Sequence, residues 1–389
     1  MKTVRLGIIG VGSMGHFHAR SVLEGKIARC TLSAICDIDP ERLAKFNDAK
    51  DVKQFNKSGE LIRSGEVDAV LIATPHYGHT TIGIDALQQG LHVLVEKPIS
   101  VHKADCEKLI AAYKKSKKRK QLFAAMFNQR TDPKYQKIKK MIEDGELGQF
   151  TRVNWIITDW FRTESYYASG GWRATWAGEG GGVLLNQCPH QLDLIWWLCG
   201  SPCEVHGFCD MGKRHNIEVE DEVTAYLKYP NGATGVFITS TGEAPGTNRL
   251  EICGDKGKIL VEGDRVMFYR NEQPMFEFSK TDPRAFSKPP VWEIKLPASG
   301  SGEQHHGILR NFTAAILDGA PLIAQATDGI HSVELGNAML LSSLTGKGVK
   351  LPMDGKAYER QLKKLIAGST FKKASLKKKA EGDDMSSSF

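Results

Sequence analysis

The chain has 389 residues, 41% of them hydrophobic and 25% charged, which is ordinary for a globular protein and long enough for two domains. Its net charge is +7, and the basic residues are concentrated in a run at residues 114–120 and in lysines near the C-terminus. Such runs are typical of a solvated helix end and a frayed tail, so the charge does not indicate a nucleic-acid groove.

The eight cysteines are scattered and form no CxxC pair, which indicates a reducing compartment and no structural metal. The N-terminal residues enter a strand at once and lack the pattern of a signal peptide. No apolar run is long enough to span a membrane. We therefore expect a cytoplasmic protein without a membrane or nucleic-acid partner.

The first predicted strand, Val4 to Gly10, leads directly into GVGSMG and then into a helix that extends to about Glu24. A GxGxxG motif between a strand and a helix is typical of dinucleotide binding. Its glycines permit a tight turn, close approach of a pyrophosphate, and close packing of helix on strand. The helix N-terminus offers its N–H groups to the phosphates. The cofactor-binding residues predicted here are Gly10, Gly12, Ser13, Met14 and Gly15.

The second predicted strand, Thr31 to Asp37, ends in an acidic residue that lies 22 positions beyond Gly15. That is close to the spacing of the acid that binds the ribose 2′-hydroxyl of NAD. The residues that follow directly, Ile38, Asp39 and Pro40, supply no cation for a 2′-phosphate. The sequence therefore predicts NAD rather than NADP.

The third predicted strand, Val67 to Thr74, is interrupted by Pro75, and a helix is predicted from Thr80 to Gly90. His76, Tyr77 and His79 would then lie in the loop and at the start of this helix. One of these histidines could contact the cofactor, and we assign His79 to that role.

The fourth predicted strand, His92 to Val95, stops at Glu96-Lys97-Pro98 because proline cannot donate to a sheet ladder. At the carboxyl edge of a parallel sheet, where such sheets bind ligands, Lys97 would be the first charged donor that a ligand meets. A helix from Lys103 to Lys118 and a strand from Gln121 to Phe127 complete this half near residue 128.

Four segments of this half resemble the Gfo/Idh/MocA oxidoreductases, named after glucose-fructose oxidoreductase and inositol dehydrogenase, in their order and spacing. The segments are the glycine motif at 10–15, Asp37, Ala73-Thr74-Pro75 and Glu96-Lys97-Pro98. The resemblance extends from residue 3 to about residue 355. With the residues above, it implies a Rossmann domain whose cofactor is NAD, bound by the motif and by Asp37, Thr74, Pro75, His79, Glu96 and Lys97.

The second half has a different pattern, with strand-like segments joined by hairpin signals such as Pro230-Asn231-Gly232. The predicted strands are Phe150 to Trp160, Asp221 to Tyr229, Thr234 to Ser240, Leu250 to Cys253 and Lys258 to Glu262, and the predicted helices are Gly307 to Leu317 and Gly329 to Leu344. The predicted fold class is α/β: a doubly wound N-terminal Rossmann domain plus a C-terminal α+β domain with an open, mostly antiparallel sheet. The predicted divisions are residues 1–128 for NAD binding, 129–367 for substrate binding and oligomerisation, and 368–389 for a basic flexible tail.

The stretch GGGVLLNQCPHQLD, residues 180–193, carries chemistry-bearing side chains. If it forms one helix, Asn186, His190, Asp193 and Trp197 share a face. The resemblance places an aspartate and a histidine here, facing the substrate hydroxyls, but Asn186 stands where the aspartate is usual. Since an amide cannot take a proton at neutral pH, Asn186 can orient a hydroxyl and cannot be the base.

Residues 162–176, RTESYYASGGWRATW, are rich in aromatic residues and arginine. Aromatic faces pack on the C–H faces of a sugar, and arginine binds hydroxyl or carboxylate oxygens; an ordinary aromatic core cluster is the alternative. The candidate substrate contacts are Tyr166, Trp172 and Arg173, together with Asn186.

The resemblance implies an NAD-dependent enzyme that oxidises a secondary hydroxyl of a sugar, polyol or glycoside, with Lys97 and His190 as the catalytic acid–base pair. Burial and the positive nicotinamide ring would lower the pKa of Lys97 from about 10.4. Two alternatives are a glycosidase that uses transient oxidation and elimination, and a non-catalytic regulator. The resemblance also implies a homodimer or homotetramer.

Overall fold

The computed structural model describes residues 3–116, 120–298 and 300–373 and folds them around two sheets. The strands are β1 (Val4–Ile9), β2 (Cys30–Cys36), β3 (Lys53–Phe55), β4 (Ala69–Ile72), β5 (His92–Val95), β6 (Phe123–Ala125), β7 (Phe150–Ile157), β8 (Glu204–Met211), β9 (Glu220–Lys228), β10 (Thr234–Ser240), β11 (Asn248–Gly254), β12 (Gly257–Glu262), β13 (Arg265–Asn271), β14 (Val291–Lys295) and β15 (Val349–Lys350). The α-helices are α1 (Ser13–Leu23), α2 (Pro40–Ala44), α3 (Ser58–Arg63), α4 (His76–Gln88), α5 (Lys103–Ser116), α6 (Pro133–Glu143), α7 (Glu164–Ala168), α8 (Pro189–Cys199), α9 (Met275–Thr281), α10 (Gln304–Asp318), α11 (Gly329–Thr345) and α12 (Gly355–Gly368).

The first sheet has six parallel strands in the order β3-β2-β1-β4-β5-β6. The central strands are buried on both faces, which explains their continuous apolar runs. The order reverses between β1 and β4, so the loops at their carboxyl ends face a shared crevice, where such sheets bind nucleotides. The predicted doubly wound domain is confirmed.

The start of α4 differs from its prediction. The helix begins at His76, directly after Pro75 at its N-cap, so His76, Tyr77 and His79 lie in its first turns. Two histidines and Gly78 give those turns no apolar periodicity, and the sequence pattern therefore placed the start four residues too late.

The second sheet has nine strands in the order β14-β13-β12-β11-β7-β10-β9-β8-β15, and only the β7–β10 pair is parallel. Trp155 and Phe237 are buried in its core, which α8 and α11 complete. The opposite face exposes Phe208 and Tyr226, so the predicted open, mostly antiparallel sheet is confirmed. The sequence reading missed β8, β13, β14 and β15; most side chains of β14 are exposed, so it has no apolar alternation.

The chain returns to the first sheet after it has formed the second. Ile308, Leu309 and Phe312 of α10 belong to the core around the parallel strands. The predicted division at residue 128 does not describe this return. Of the predicted tail, residues 374–389 lie outside the described residues. Among the described residues, no helix has both the length and the apolar character that crossing a bilayer requires.

Candidate active site

The glycine turn at the end of β1 leaves no space for side chains at two of its three glycines. A Cβ at Gly10, where φ is +89°, would lie 2.8 Å from the backbone of Ala73, and one at Gly15 would lie 1.8 Å from the carbonyl oxygen of Gly10. At Gly12 the nearest atom would be 3.6 Å away, on Arg42. The backbone at Gly12 is therefore open to the approach of a pyrophosphate.

Asp37 lies beside this turn with its carboxylate buried. It accepts hydrogen bonds from the backbone N–H groups of Val11 and Asp39, each at 2.9 Å. The Arg42 guanidinium in α2 lies 3.5 Å from Asp37 Oδ2. The expectation that no cation lies near Asp37 is therefore wrong, because α2 brings back a residue that does not follow Asp37 directly. The short helix, capped by Asp39, was the sequence signal that could have located Arg42.

Thr74, Pro75 and His79 follow β4 at the crevice. The hydroxyl oxygen of Thr74 is buried and has no hydrogen-bond partner among the described residues, which suits a group that meets a ligand. The two ring nitrogens of His79 lie 2.8 Å from the carbonyl oxygens of Pro98 and Thr74. His79 therefore braces the loops and has no nitrogen left for the cofactor.

Glu96 at the end of β5 is turned into the protein. Its carboxylate lies 2.7 Å from Nε2 of the buried His18 and accepts the backbone N–H of Lys97 at 3.2 Å. Burial alone would raise the pKa of Glu96, but the hydrogen bond and charge of His18, followed by His305 and Lys97, lower it to about 2. An ionised Glu96 therefore fixes the turn that presents Lys97, rather than facing a cofactor.

Lys97 reaches from the nucleotide half to the substrate half. Its Nζ donates a hydrogen bond to the backbone carbonyl of Asn186 at 2.7 Å. Burial lowers the pKa of Lys97, with Glu96 acting in the opposite direction. The sequence-predicted base thus meets the sequence-predicted hydroxyl-binding segment, although 89 positions separate them in the chain.

Asn186 does not lie on the same helix as His190, contrary to expectation. The helix α8 starts at Pro189, and Asn186 belongs to the turn before it. Proline disfavours helical structure in the residue before it and provides no N–H, so the helix cannot extend further back. The side-chain amide of Asn186 donates to the carboxylate of the buried Glu179, a residue that the sequence reading missed.

His190 lies in the first turn of α8 and is buried. Burial lowers its pKa well below the usual value, and the charge of Lys97 lowers it further. Its Nδ1 has no hydrogen-bond partner among the described residues. His190 is therefore a neutral imidazole near Lys97.

Asp193 does not join this group as a ligand-binding residue. Both of its carboxylate oxygens accept from the Arg130 guanidinium, at 2.8 and 2.7 Å, and Arg130 also contacts Asp328 at 2.9 Å. This buried, bidentate ion pair joins α8 to the chain that follows β6. Asp193 therefore has a structural role: its ion pair with Arg130 holds α8 in place.

Tyr166, Trp172 and Arg173 contact one another. Arg173 donates to the Tyr166 hydroxyl at 2.8 Å and lies over the rings of Tyr166 and Trp172, 4.6 and 4.9 Å from their centroids. Gln187, the neighbour of Asn186, donates to the same hydroxyl at 3.0 Å. Residues 162–176, called the aromatic loop below, are thereby joined to the turn that carries Asn186.

Comparison with known proteins connects these features. Residues 4–124 match the model described as the oxidoreductase family with an NAD-binding Rossmann fold, and residues 135–260 match the GFO/IDH/MocA C-terminal domain. The chain belongs to the Gfo/Idh/MocA oxidoreductase family. It is an NAD-binding oxidoreductase, and its family includes sugar and polyol dehydrogenases.

Similar proteins carry different substrate names. Myo-inositol 2-dehydrogenase of Thermotoga maritima is 28% identical over 272 residues, 67% of this chain and 76% of the relative. Levoglucosan dehydrogenase of Pseudarthrobacter phenanthrenivorans is 25% identical over 90% of this chain and 99% of its own length. The structure of the WlbA dehydrogenase from Bordetella pertussis with NADH and UDP-GlcNAcA matches with a TM-score of 0.77 and 25% identity, covering 90% of this chain and all of that one.

In this Gfo/Idh/MocA chain the segment after α12 contacts the aromatic loop. Nζ of Lys373 donates to the carbonyl oxygens of Ser169 at 3.3 Å, Arg173 at 3.0 Å, and Gly170. The end of the described chain is thus attached to the backbone beside Trp172. Sequence reasoning had no signal for this contact, since some 200 positions separate the partners.

Proposed function

We propose that the protein is an NAD-dependent dehydrogenase that oxidises a secondary hydroxyl of a sugar, an inositol-like polyol or a glycoside to a ketone. The observation that carries the proposal is the 2.7 Å contact between Lys97 Nζ and the Asn186 carbonyl, which joins a partly buried amine to the proposed substrate segment. The names of the relatives, inositol and levoglucosan dehydrogenases, support the substrate class.

The residues around the crevice fit NAD. The open backbone at Gly12 would hold the pyrophosphate, and the buried Asp37 carboxylate would hold the ribose. The Thr74 hydroxyl, which has no partner among the described residues, would contact the neighbouring part of the cofactor. Ser13, Met14 and Pro75 lie along the same edge. Bound NAD would supply the acceptor for the hydride. The chain must supply a base, a partner for the reacting oxygen, and contacts that orient the substrate.

We assign the base to Lys97 and the oxygen partner to His190. A base works best when its pKa is near the working pH, and burial moves the pKa of Lys97 in that direction. The pKa of His190 is lowered away from neutrality, so the imidazole stays uncharged and hydrogen-bonds to the oxygen. The Lys97 amine takes the proton of the reacting hydroxyl, and bound NAD would supply the acceptor for the hydride of the carbinol carbon, so that the product would be a ketone.

Asn186, Tyr166, Trp172 and Arg173 are proposed to orient the sugar. The Trp172 ring can pack on C–H groups, while Arg173 and the Tyr166 hydroxyl offer hydrogen bonds to oxygens. Tyr166 accepts from both Arg173 and Gln187, so its own proton remains available for a substrate oxygen.

The test measures NADH formation through its absorbance. Purified protein is mixed with NAD and with each member of a panel of inositols, aldoses, anhydrosugars and aryl glycosides. Sustained NADH formation with one class supports the proposal and identifies the substrate. Release of an aglycone without NADH would instead indicate oxidation and elimination with internal return of the hydride. Bound NAD with neither signal would favour a regulator.

We also propose that the open face of the second sheet pairs with another copy in a homodimer or homotetramer. Phe208 and Tyr226 lie on the same face of β8 and β9 and are both exposed, Phe208 by 69%. Exposed aromatic side chains that cluster on a sheet face are typical of an interaction surface. Light scattering measures the molar mass of the wild type and of Phe208→Glu in solution. The variant should have a lower mass than the wild type, and a monomeric wild type would contradict the proposal.

A further inference from the structure

Glu179 is a buried carboxylate in the site to which neither the sequence reading nor the proposed mechanism gives a role. Only 2% of its surface is exposed. One oxygen accepts the backbone N–H of Ala174 at 2.5 Å, and the other accepts the side-chain amide of Asn186. No lysine or arginine of the described ranges lies within ion-pairing distance of it. A carboxylate buried without such a partner is costly and calls for an explanation.

The contact with Glu179 determines which end of the Asn186 amide is available. An ionised carboxylate can only accept hydrogen bonds, so the amide must turn its Nδ2 toward Glu179. The Oδ1 atom is then left without a partner in the described part of the chain. Lys97 Nζ donates a hydrogen bond to the backbone carbonyl of the same residue, so one residue carries both the free acceptor and the contact with the amine.

We propose that Glu179 is a positioning residue that acts through Asn186, fixing its amide so that Oδ1 accepts a hydrogen bond from a substrate hydroxyl next to Lys97. The inference rests on the proposed function, because it assigns a donor hydroxyl to the substrate of that same site. It predicts that the substrate carries a second hydroxyl adjacent to the carbinol that reacts. A substrate that offers only an acceptor, such as an ether or a methoxy group, is disfavoured there.

The charge of Glu179 has a second effect, on Lys97. Its negative charge favours the ammonium form and so raises the pKa of Lys97, against the larger effect of burial. The other groups that act on Lys97 are Glu96, Arg173 and Cys188, and the charge of Lys97 lowers the pKa values of His76, His79, His190 and His305. Burial raises the pKa of Glu179, and the charge of Arg173, the hydrogen bonds from Ala174 and Asn186, and the charge of Lys373 oppose that rise. Removing the Glu179 charge should therefore lower the pKa of Lys97.

An exchange of the two side-chain types tests the proposal. Glu179→Gln can turn an N–H toward Asn186 and leave its amide orientation unspecified, and Asn186→Asp places two carboxylates against each other. Each single variant should lose about tenfold or more in kcat/KM. In Glu179→Gln/Asn186→Asp, the introduced glutamine can accept from Ala174 and donate to the introduced aspartate, so an acceptor again faces the substrate. The double variant should recover most of the loss.

The matched control is Glu218→Gln. Glu218 also accepts a backbone N–H of this loop, that of Trp176 at 2.9 Å, but it has no contact with Asn186. Its substitution should change kcat/KM by less than about twofold. Equal losses in Glu218→Gln and Glu179→Gln, or no recovery in the double variant, would overturn the proposal, since both would indicate a merely structural role.

A readout without turnover separates this inference from the proposed function. The rate at which a small acylating reagent modifies Lys97 is followed against pH by mass spectrometry in the wild type, Glu179→Gln and Glu218→Gln. The midpoint should move to lower pH in Glu179→Gln only. That result together with no sugar oxidation by the wild type would overturn the dehydrogenase and retain the Glu179–Lys97 link. An active wild type with an unmoved midpoint in Glu179→Gln would overturn the inference alone.

Discussion

The nucleotide crevice and the proposed substrate pocket, which Tyr166, Trp172, Arg173 and Asn186 form, are built in different ways. In the crevice, backbone atoms form the surface: Gly10 and Gly15 leave no space for a side chain, and Asp37 holds the turn through the N–H of Val11. In the pocket, side chains hold one another, as Arg173 and Gln187 hold the Tyr166 hydroxyl. The crevice therefore suits one constant ligand, while the pocket can change its substrate through single side chains.

The largest expected effect comes from Lys97→Met, which removes the group that joins the two regions. The variant should bind NAD normally and turn over at least about a hundredfold more slowly, because general base catalysis contributes roughly 10²–10⁴ in rate. Titration with NAD and steady-state kinetics measure the two quantities. Near-normal turnover would contradict the assignment of Lys97.

The pH dependence of kcat/KM should report the pKa of Lys97. Lys97 accepts a proton only when neutral, so kcat/KM should fall about tenfold for each pH unit below its pKa. Since burial lowers that pKa, the midpoint should lie below the usual value of about 10.4 for lysine. His190, whose pKa is well below the usual range, should add no second inflection near 6.5. An acid limb that persists in Lys97→Met would assign the titration to another group.

Asp37→Ser tests the crevice without touching the pocket. It removes the acceptor for the ribose hydroxyls, so NAD affinity should fall about tenfold, the scale of a lost hydrogen bond to a charged group. NADP should bind better than it does to the wild type, because Arg42 no longer lies against a carboxylate. Asp37→Ser/Arg42→Ala is the control and should lose the gain for NADP. Unchanged discrimination in Asp37→Ser would contradict the role of Asp37.

The smallest effect is expected for Lys373→Met. It removes the ammonium that bonds three carbonyl groups near Trp172, so the aromatic loop should be less well positioned. KM for the sugar should rise about threefold while NAD affinity stays unchanged, in keeping with the modest net energy of a typical hydrogen bond. Lys372→Met is the neighbouring control. A change in NAD affinity would show that the two regions are not separable in this way.

Sequence reasoning located the crevice better than the pocket for a physical reason. The glycine turn and Asp37 depend on local backbone geometry, which leaves short, fixed spacings in the sequence. Glu179 and Gln187 act through side-chain contacts that a turn creates, and no periodicity marks them. The helix also starts only at Pro189, later than predicted, which separates Asn186 from the face of His190. Asp193 is the opposite case: its spacing from His190 suggested a place in the site, but its carboxylate forms an ion pair with Arg130.

The most direct test of hydride transfer from a sugar carbinol uses a substrate that carries deuterium at the carbon to be oxidised. After reaction with NAD, mass spectrometry measures the label in the reduced cofactor and in the sugar. The proposed dehydrogenase should transfer the deuterium to the cofactor and leave a ketone, at a rate that falls at least about a hundredfold in Lys97→Met. Label that stays in the sugar while an aglycone is released, or that exchanges into water, would contradict it.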